Sequence, residues 1–250
     1  MSTTYSDLLV AFELHSTDRI RAILDAGLEV RRQVDGKTPI NSLIEMYTRS
    51  DRFPECLQLL VEHGAVFDDP LVAPVLLDDA GLLRRAIQEN SLLLQHRTTI
   101  VSAFTPLEGA SLLHVAAEFG NLKAARVLLE MGAPVDARAA TDHSGMNGHT
   151  ALFHTVNSNA NRNAPLMHLL LEAGARSDIL VAGITWGKGF PWETTCFDVT
   201  PVSYAQFGLL PQMHRIEGDV YSNVRVLLQA TGRKVPPLNN VPNRYLQAGD

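Results

Sequence analysis

The chain has 250 residues, 46% of them hydrophobic but only 6% aromatic, and a formal net charge of −6. That is apolar material enough for one extended domain or two compact ones, in proportions that suit close-packed small helices better than a β-sandwich. The acidic balance gives no electrostatic case for binding nucleic acid or an anionic membrane, and no apolar run approaches the ~20 residues that span a bilayer.

The N-terminal stretch MSTTYSDLLVAFELHSTDR lacks a basic start and its apolar run is interrupted at Glu13, so no signal peptide is expected. The two cysteines, Cys56 and Cys196, argue against a disulfide framework and fit a reducing, cytoplasmic setting. Residues 6–35 then read as a first helix pair. Leu8, Leu9, Ala11 and Phe12 form one stripe, and Ile20, Ile23 and Leu24 form the next. Ser16 or Thr17 is placed to cap the second helix and Gly27 to close it. Residues 36–69 form a second unit. Thr38 is its N-cap, and Pro39 takes the first helical position, where a missing N–H costs nothing. Its inter-helix turn, Tyr47 to Pro54, is long.

Residues 70–100 are a degenerate unit, inferred from spacing: Gly64 and Gly132 stand two periods of 34 residues apart. The clearest pair lies within 108–140, at Ser111 to Asp136. Leu112, Leu113, Val115, Ala116 and Ala117 form a compact stripe, Gly120 breaks the helix, and Leu122, Ala125, Val127, Leu128 and Leu129 form a second stripe ended by Gly132. A polar excursion from Arg138 to His149 leads to a fifth unit, 148–180, whose turn Asn157 to Pro165 is again long. An insertion at 181–199 holds both tryptophans. Thr200-Pro201 opens a sixth unit, 199–232, and residues 233–250 read as an irregular cap or tail.

A helix pair this small cannot bury both apolar faces alone, so like units must stack. Leu113-His114-Val115-Ala116-Ala117, Gly120-Asn121-Leu122, Val127-Leu128-Leu129 and Gly132-Ala133 resemble an ankyrin repeat. Gly36-Lys37-Thr38-Pro39-Ile40 and Leu169-Leu170-Leu171-Glu172-Ala173-Gly174-Ala175 carry the same resemblance into other units. The resemblance implies an all-α ankyrin-repeat solenoid of five to six helix-pair repeats in a single domain over 1–250, with a long loop or hairpin before the last repeat. It also implies binding of a protein through the concave face made by the projecting loops and first helices, without chemistry. His114 stands at the signature position and is expected to be structural.

The departures from the repeat are where partner contacts are expected. Trp186, Lys188, Phe190 and Trp192 lie in the insertion, where rigid aromatics are typical anchors. The alternative is that the insertion folds back as a hairpin and buries its tryptophans. Arg138, Asp142, Met146 and Asn147 lie in the polar excursion, and Glu118 and Asn157 near inner-helix ends. Two other classes remain in view. One is a dedicated protective or inhibitory subunit of a neighbouring toxin or enzyme. The other is a metal-dependent enzyme using the His143/His149 loop, although the spacing of His143, His149 and His154 fits no helical ligand pair. Cys196 with His214 is a weaker nucleophile-and-base pairing with no orienting third group. Gly187-Lys188-Gly189 lacks the flanking residues of a phosphate loop. The chain is therefore expected to be a monomeric, non-enzymatic binding module with no cofactor and no metal.

Overall fold

A computed structural model describes residues 4–232. The cap or tail expected at 233–250 lies outside the described residues. Eleven α-helices appear among them, largely as antiparallel pairs: α1 (Tyr5–Glu13) with α2 (Thr17–Asp25), α3 (Pro39–Glu45) with α4 (Phe53–Glu62), α5 (Ala73–Leu76) with α6 (Ala80–Glu89), α7 (Leu112–Phe119) with α8 (Leu122–Glu130), and α10 (Pro201–Phe207) with α11 (Glu217–Ala230). α9 (Ala164–Glu172) follows a 3₁₀ turn, Ala151–His154, instead of the first helix expected in the fifth unit. Gly27, Gly64, Gly132 and Gly174 follow the second helices of their units with φ of 91 to 94°. An L side chain rarely adopts that conformation, which is why glycine recurs there.

The all-α expectation is wrong. Four strands form two separate antiparallel ribbons: β1 (Arg97–Ile100) with β2 (Leu107–Ser111), and β3 (Val181–Trp186) with β4 (Thr194–Val199). Both ribbons occupy the connection that precedes a first helix. Ser111 ends β2 and is also the N-cap of α7, while Val199 ends β4 just before Thr200, the N-cap of α10. Shorter bridges pair Val34 with Lys37 ahead of α3, and Arg138 with Thr150 ahead of the Ala151–His154 turn. A connection that doubles back to deliver the chain to a helix N-terminus can pair its two arms, which satisfies backbone groups that the helix stack leaves over. Where the arms are four to six residues long the pairing becomes a ribbon.

Neighbouring units are joined by a recurrent device as well as by apolar packing. The Asn121 side chain donates to the carbonyls of Val75 (2.8 Å) and Leu76 (3.2 Å), Asn163 to Ala117 (2.9 Å), and Asn223 to Val156 (3.1 Å). Asn121 and Asn163 are the N-caps of α8 and α9, whereas Asn223 lies midway along α11, and each satisfies a carbonyl toward the end of a neighbouring unit's first segment. Asp78 extends the pattern by accepting from the Ala124 N–H at the start of α8 (2.8 Å). The apolar stripes of all units join in one core running from Leu8 to Leu228.

A cleft at the inner-helix ends

The two long turns and the insertion converge on one cleft of about 550 Å³. The turn after α3 supplies Tyr47, Thr48 and Arg49, and the turn before α9 supplies Asn157, Arg162 and Asn163. The β3–β4 ribbon supplies Trp186 and Trp192, and the approach to α11 supplies Met213, His214 and Arg215. Phe104 comes from the β1–β2 connection. Glu118, from the last turn of α7, lies beside His154 on the floor. The long turns meet directly: Arg162 donates to Asp51 at 2.8 Å across 111 residues of sequence.

Arg49 is the least expected member. Its guanidinium packs over the Phe119 ring (4.5 Å to the centroid) and the Phe104 ring (5.3 Å), with 6% of its side chain exposed. One terminal nitrogen donates to the carbonyls of Met46 and Thr48, while the other lies 3.7 Å from Glu118. Burial lowers its pKa to about 10 despite the neighbouring carboxylate, which still leaves it charged at neutral pH. Phe119 in turn stacks on Phe53 at 4.7 Å, so the cation sits on an aromatic pile drawn from two helix pairs.

Glu118 is fully engaged. One oxygen accepts from the Ser102 hydroxyl (2.8 Å) and the other from His154 Nδ1 (2.8 Å). Burial alone would raise its pKa, but the hydrogen bond from His154, the charge of Arg49 and the Ser102 hydroxyl outweigh it and hold the carboxyl below its usual value. Behind His154 the chain continues inward. His154 Nε2 lies 3.1 Å from His149 Nε2, which is also 3.0 Å from the Pro106 carbonyl. The carbonyl can only accept, so the proton belongs on His149 Nε2, and His154 Nε2 receives. His149 is held neutral by burial and by the two imidazoles beside it, its pKa well below the usual range.

His114 anchors the same wall. Its Nδ1 accepts from the Ser111 N–H (3.2 Å) and meets the Ser111 hydroxyl (2.7 Å); its Nε2–H donates to the His149 carbonyl (3.1 Å). Burial depresses its pKa to about 3. The helix start and the next unit are thus tied by one neutral ring.

The structure divides the residues singled out from sequence. Trp186, Trp192 and Asn157 line the cleft. Trp186 is 6% exposed, with its ring 5.6 Å from Phe104 and 5.9 Å from Phe207. Trp192 is half-buried; its indole donates to the Ala103 carbonyl (3.0 Å), stacks on Phe190 (4.8 Å) and meets Tyr47 edge-on. A side chain at Gly187 would run into Trp192, which explains the glycine there better than any phosphate contact. Lys188 pairs with Glu108 at 2.8 Å, outside the cleft.

The excursion residues serve their own loop. Arg138 donates to the Gly148 carbonyl, and Asp142 accepts from the N–H groups of Ser144 and Met146. Met146 fills the space over Gly183, and Asn147 is buried at φ 69°, its N–H on the Gly183 carbonyl. His143 is exposed whereas His149 and His154 are buried, and no group of three or more His, Cys, Asp or Glu side chains among the described residues is arranged to hold a metal. Cys196 is half-buried on β4, and burial pushes its thiol up, away from nucleophile character. Sequence reasoning missed Arg49, Arg162 and Arg215. For Arg49 and Arg162 the signal was the unusual length of the turns at 47–54 and 157–165; Arg215, on the approach to α11, had none.

Helix pairs, left-handed closing glycines and a cleft at the inner-helix ends together make a helical-repeat architecture. The family model that matches is the ankyrin repeat, over residues 108–140, the unit in which His114 and Gly120 stand. Comparison with curated proteins gave no match. No helix among the described residues is long and apolar enough to cross a membrane.

Proposed function

We propose that the protein is a non-enzymatic interaction module that holds a protein partner over the cleft, with Trp192, Phe190 and Tyr47 as the contact patch. The ankyrin-repeat match supports interaction in general, because the repeat is a scaffold for recognition. The observation that carries the site is the aromatic group itself: Tyr47 is 44% exposed, and Phe190 and Trp192 stack at the cleft mouth. Such rigid side chains lose little entropy on contact and dominate interfaces. Lys188, at the tip of the same ribbon, would contribute charge at the rim. The excursion residues Arg138, Asp142, Met146 and Asn147 act at one remove by bracing Gly183 of β3.

The test is affinity purification from native cells, with cross-linking mapped by mass spectrometry. A partner recovered in stoichiometric amount should cross-link near the ribbon tip and be lost with Trp192→Ala, yet retained with Arg21→Ala on the exposed side of α2. Equal recovery with both variants would contradict the reading.

A further inference from the structure

We infer that the cleft is also an oxyanion site, built for a small ligand that carries a carboxylate or phosphate on a flat unsaturated ring. This goes beyond a protein partner and does not depend on one.

The first observation is charge. Three guanidinium groups, Arg49, Arg162 and Arg215, line the cleft against a single carboxylate, in a chain whose net charge is −6. That carboxylate, Glu118, already accepts from Ser102 and His154. Arg162 has Asp51 as its other neighbour, but the Asp51 side chain is 99% exposed, so water screens the pair. Cations concentrated in a low-dielectric recess attract anions more strongly than the same charges spread over a surface.

The second observation is independent of charge. Three buried donors on cleft-lining side chains make no hydrogen bond within the protein, Arg49 Nε, Arg162 Nη1 and Asn157 Nδ2, and Arg49 Nη2 has only the 3.7 Å ion pair with Glu118. The buried acceptors without donors there are two, the amide oxygens of Asn157 and Asn163. Rotating either amide exchanges its own atoms and leaves this excess of donors unchanged for Asn157. Buried donors are costly to leave unpaired, and guanidinium forks match the geometry of carboxylate and phosphate oxygens.

The third observation is shape. The volume of about 550 Å³ falls within the ~300–1,000 Å³ typical of small-molecule sites, and Trp192 and Phe104 wall it with half-buried rings. A flat group can lie against those rings while its anionic end reaches the arginines.

The experiment titrates the purified full-length chain with four probes of similar shape: benzoate, phenylphosphate, benzylammonium and benzyl alcohol. The chain's two tryptophans both line the cleft, so their fluorescence reports occupancy. Benzoate or phenylphosphate should give a saturable change with Kd below about 1 mM, and whichever binds more tightly separates carboxylate from phosphate chemistry. The cation and the alcohol should not saturate. Arg162→Gln and Arg215→Gln should each weaken binding at least about tenfold while the melting temperature stays within about 3 °C. If Arg162→Gln melts lower, Arg162→Lys keeps the charge and should retain more affinity than Arg215→Gln. The inference is overturned if neither anion saturates by about 10 mM, if benzyl alcohol matches the anions, or if both Gln variants bind as the wild type does. Saturable benzoate or phenylphosphate binding by the purified chain, with no stoichiometric partner recovered from cells, would support this site while the protein-contact reading fails; a recovered partner with no anion binding would overturn this site alone.

Discussion

The unit around α7 and α8 and the cleft beside it are built from similar side chains under opposite rules. In 108–140 every buried polar side chain has its partner: Ser111 with His114, Glu118 with Ser102 and His154, Asn121 with two carbonyls. A few ångströms away Arg49, Arg162, Asn157 and Asn163 keep buried atoms unpaired. Satisfied polar groups specify one packing and hold it, whereas unsatisfied ones cost stability and persist where something other than folding uses them. The regular unit sets register and rigidity. The irregular turns spend some of that stability at a site.

The largest way to break this contrast is acid. His15, His114 and His149 are all held neutral, with pKa values lowered to about 4, to about 3 and well below the usual range. Burial is the main cause at each; at His15 the nearby charges of Arg49 and Arg162 add to it. Because the folded pKa lies below the unfolded value of about 6.5, the unfolded chain binds more protons in between. Stability is therefore complete above pH ~6.5 and is lost as pH falls toward 4. Glu118, also depressed, adds loss at the acid end. His63, raised by the Leu59 carbonyl and Asp25, acts in the opposite sense, but it is only half-buried and its Asp25 partner is exposed, so water screens the pair. Urea unfolding between pH 7 and pH 4 should show a loss on the order of several kcal/mol, most of a typical domain's margin. A flat profile would mean the histidines are not buried as described.

Next in size, Trp186→Ala should cost ~3–5 kcal/mol, since it empties a core site between Phe104 and Phe207, whereas Trp192→Ala should cost about 1–2 kcal/mol. Denaturant midpoints that reverse this order would reassign the two rings. His114→Ala should cost roughly 2–4 kcal/mol by orphaning the Ser111 N–H and the His149 carbonyl, and calorimetry of the variant checks it. The smallest effect is expected in the cleft: Asn157→Ala, which removes a buried amide with no side-chain partner, should change stability by less than about 1 kcal/mol in either direction. A loss as large as that of His114→Ala would erase the distinction between the two regions.

Much of the scaffold was legible because its signals are local. Thr38-Pro39, Ser111, Gly120 and the glycines that close the second helices each do their work within a few residues. The β1–β2 ribbon was not legible: Arg97–Ile100 and Leu107–Ser111 are too short for alternation to register, and β2 runs straight into a helix cap. The first segment of the fifth unit kept helical letters yet tightened into a 3₁₀ turn, so its pattern overstated its regularity. As for the cleft, its parts showed as departures from the period, but their meeting did not. Arg49 rests on Phe119, and Arg162 reaches Asp51, only because stacking brings distant turns to one edge. No local pattern encodes that.

The division between scaffold and site is tested most directly by measuring melting temperature and benzoate or phenylphosphate affinity on the same two variants. Arg215→Gln should lose at least about tenfold in affinity and keep its melting temperature within about 3 °C, while His114→Ala should melt about 8 °C or more below the wild type and, at a temperature where it is folded, bind within about threefold of it. If affinity and melting temperature fall together in both variants, the cleft and the repeat are one unit and the account is wrong.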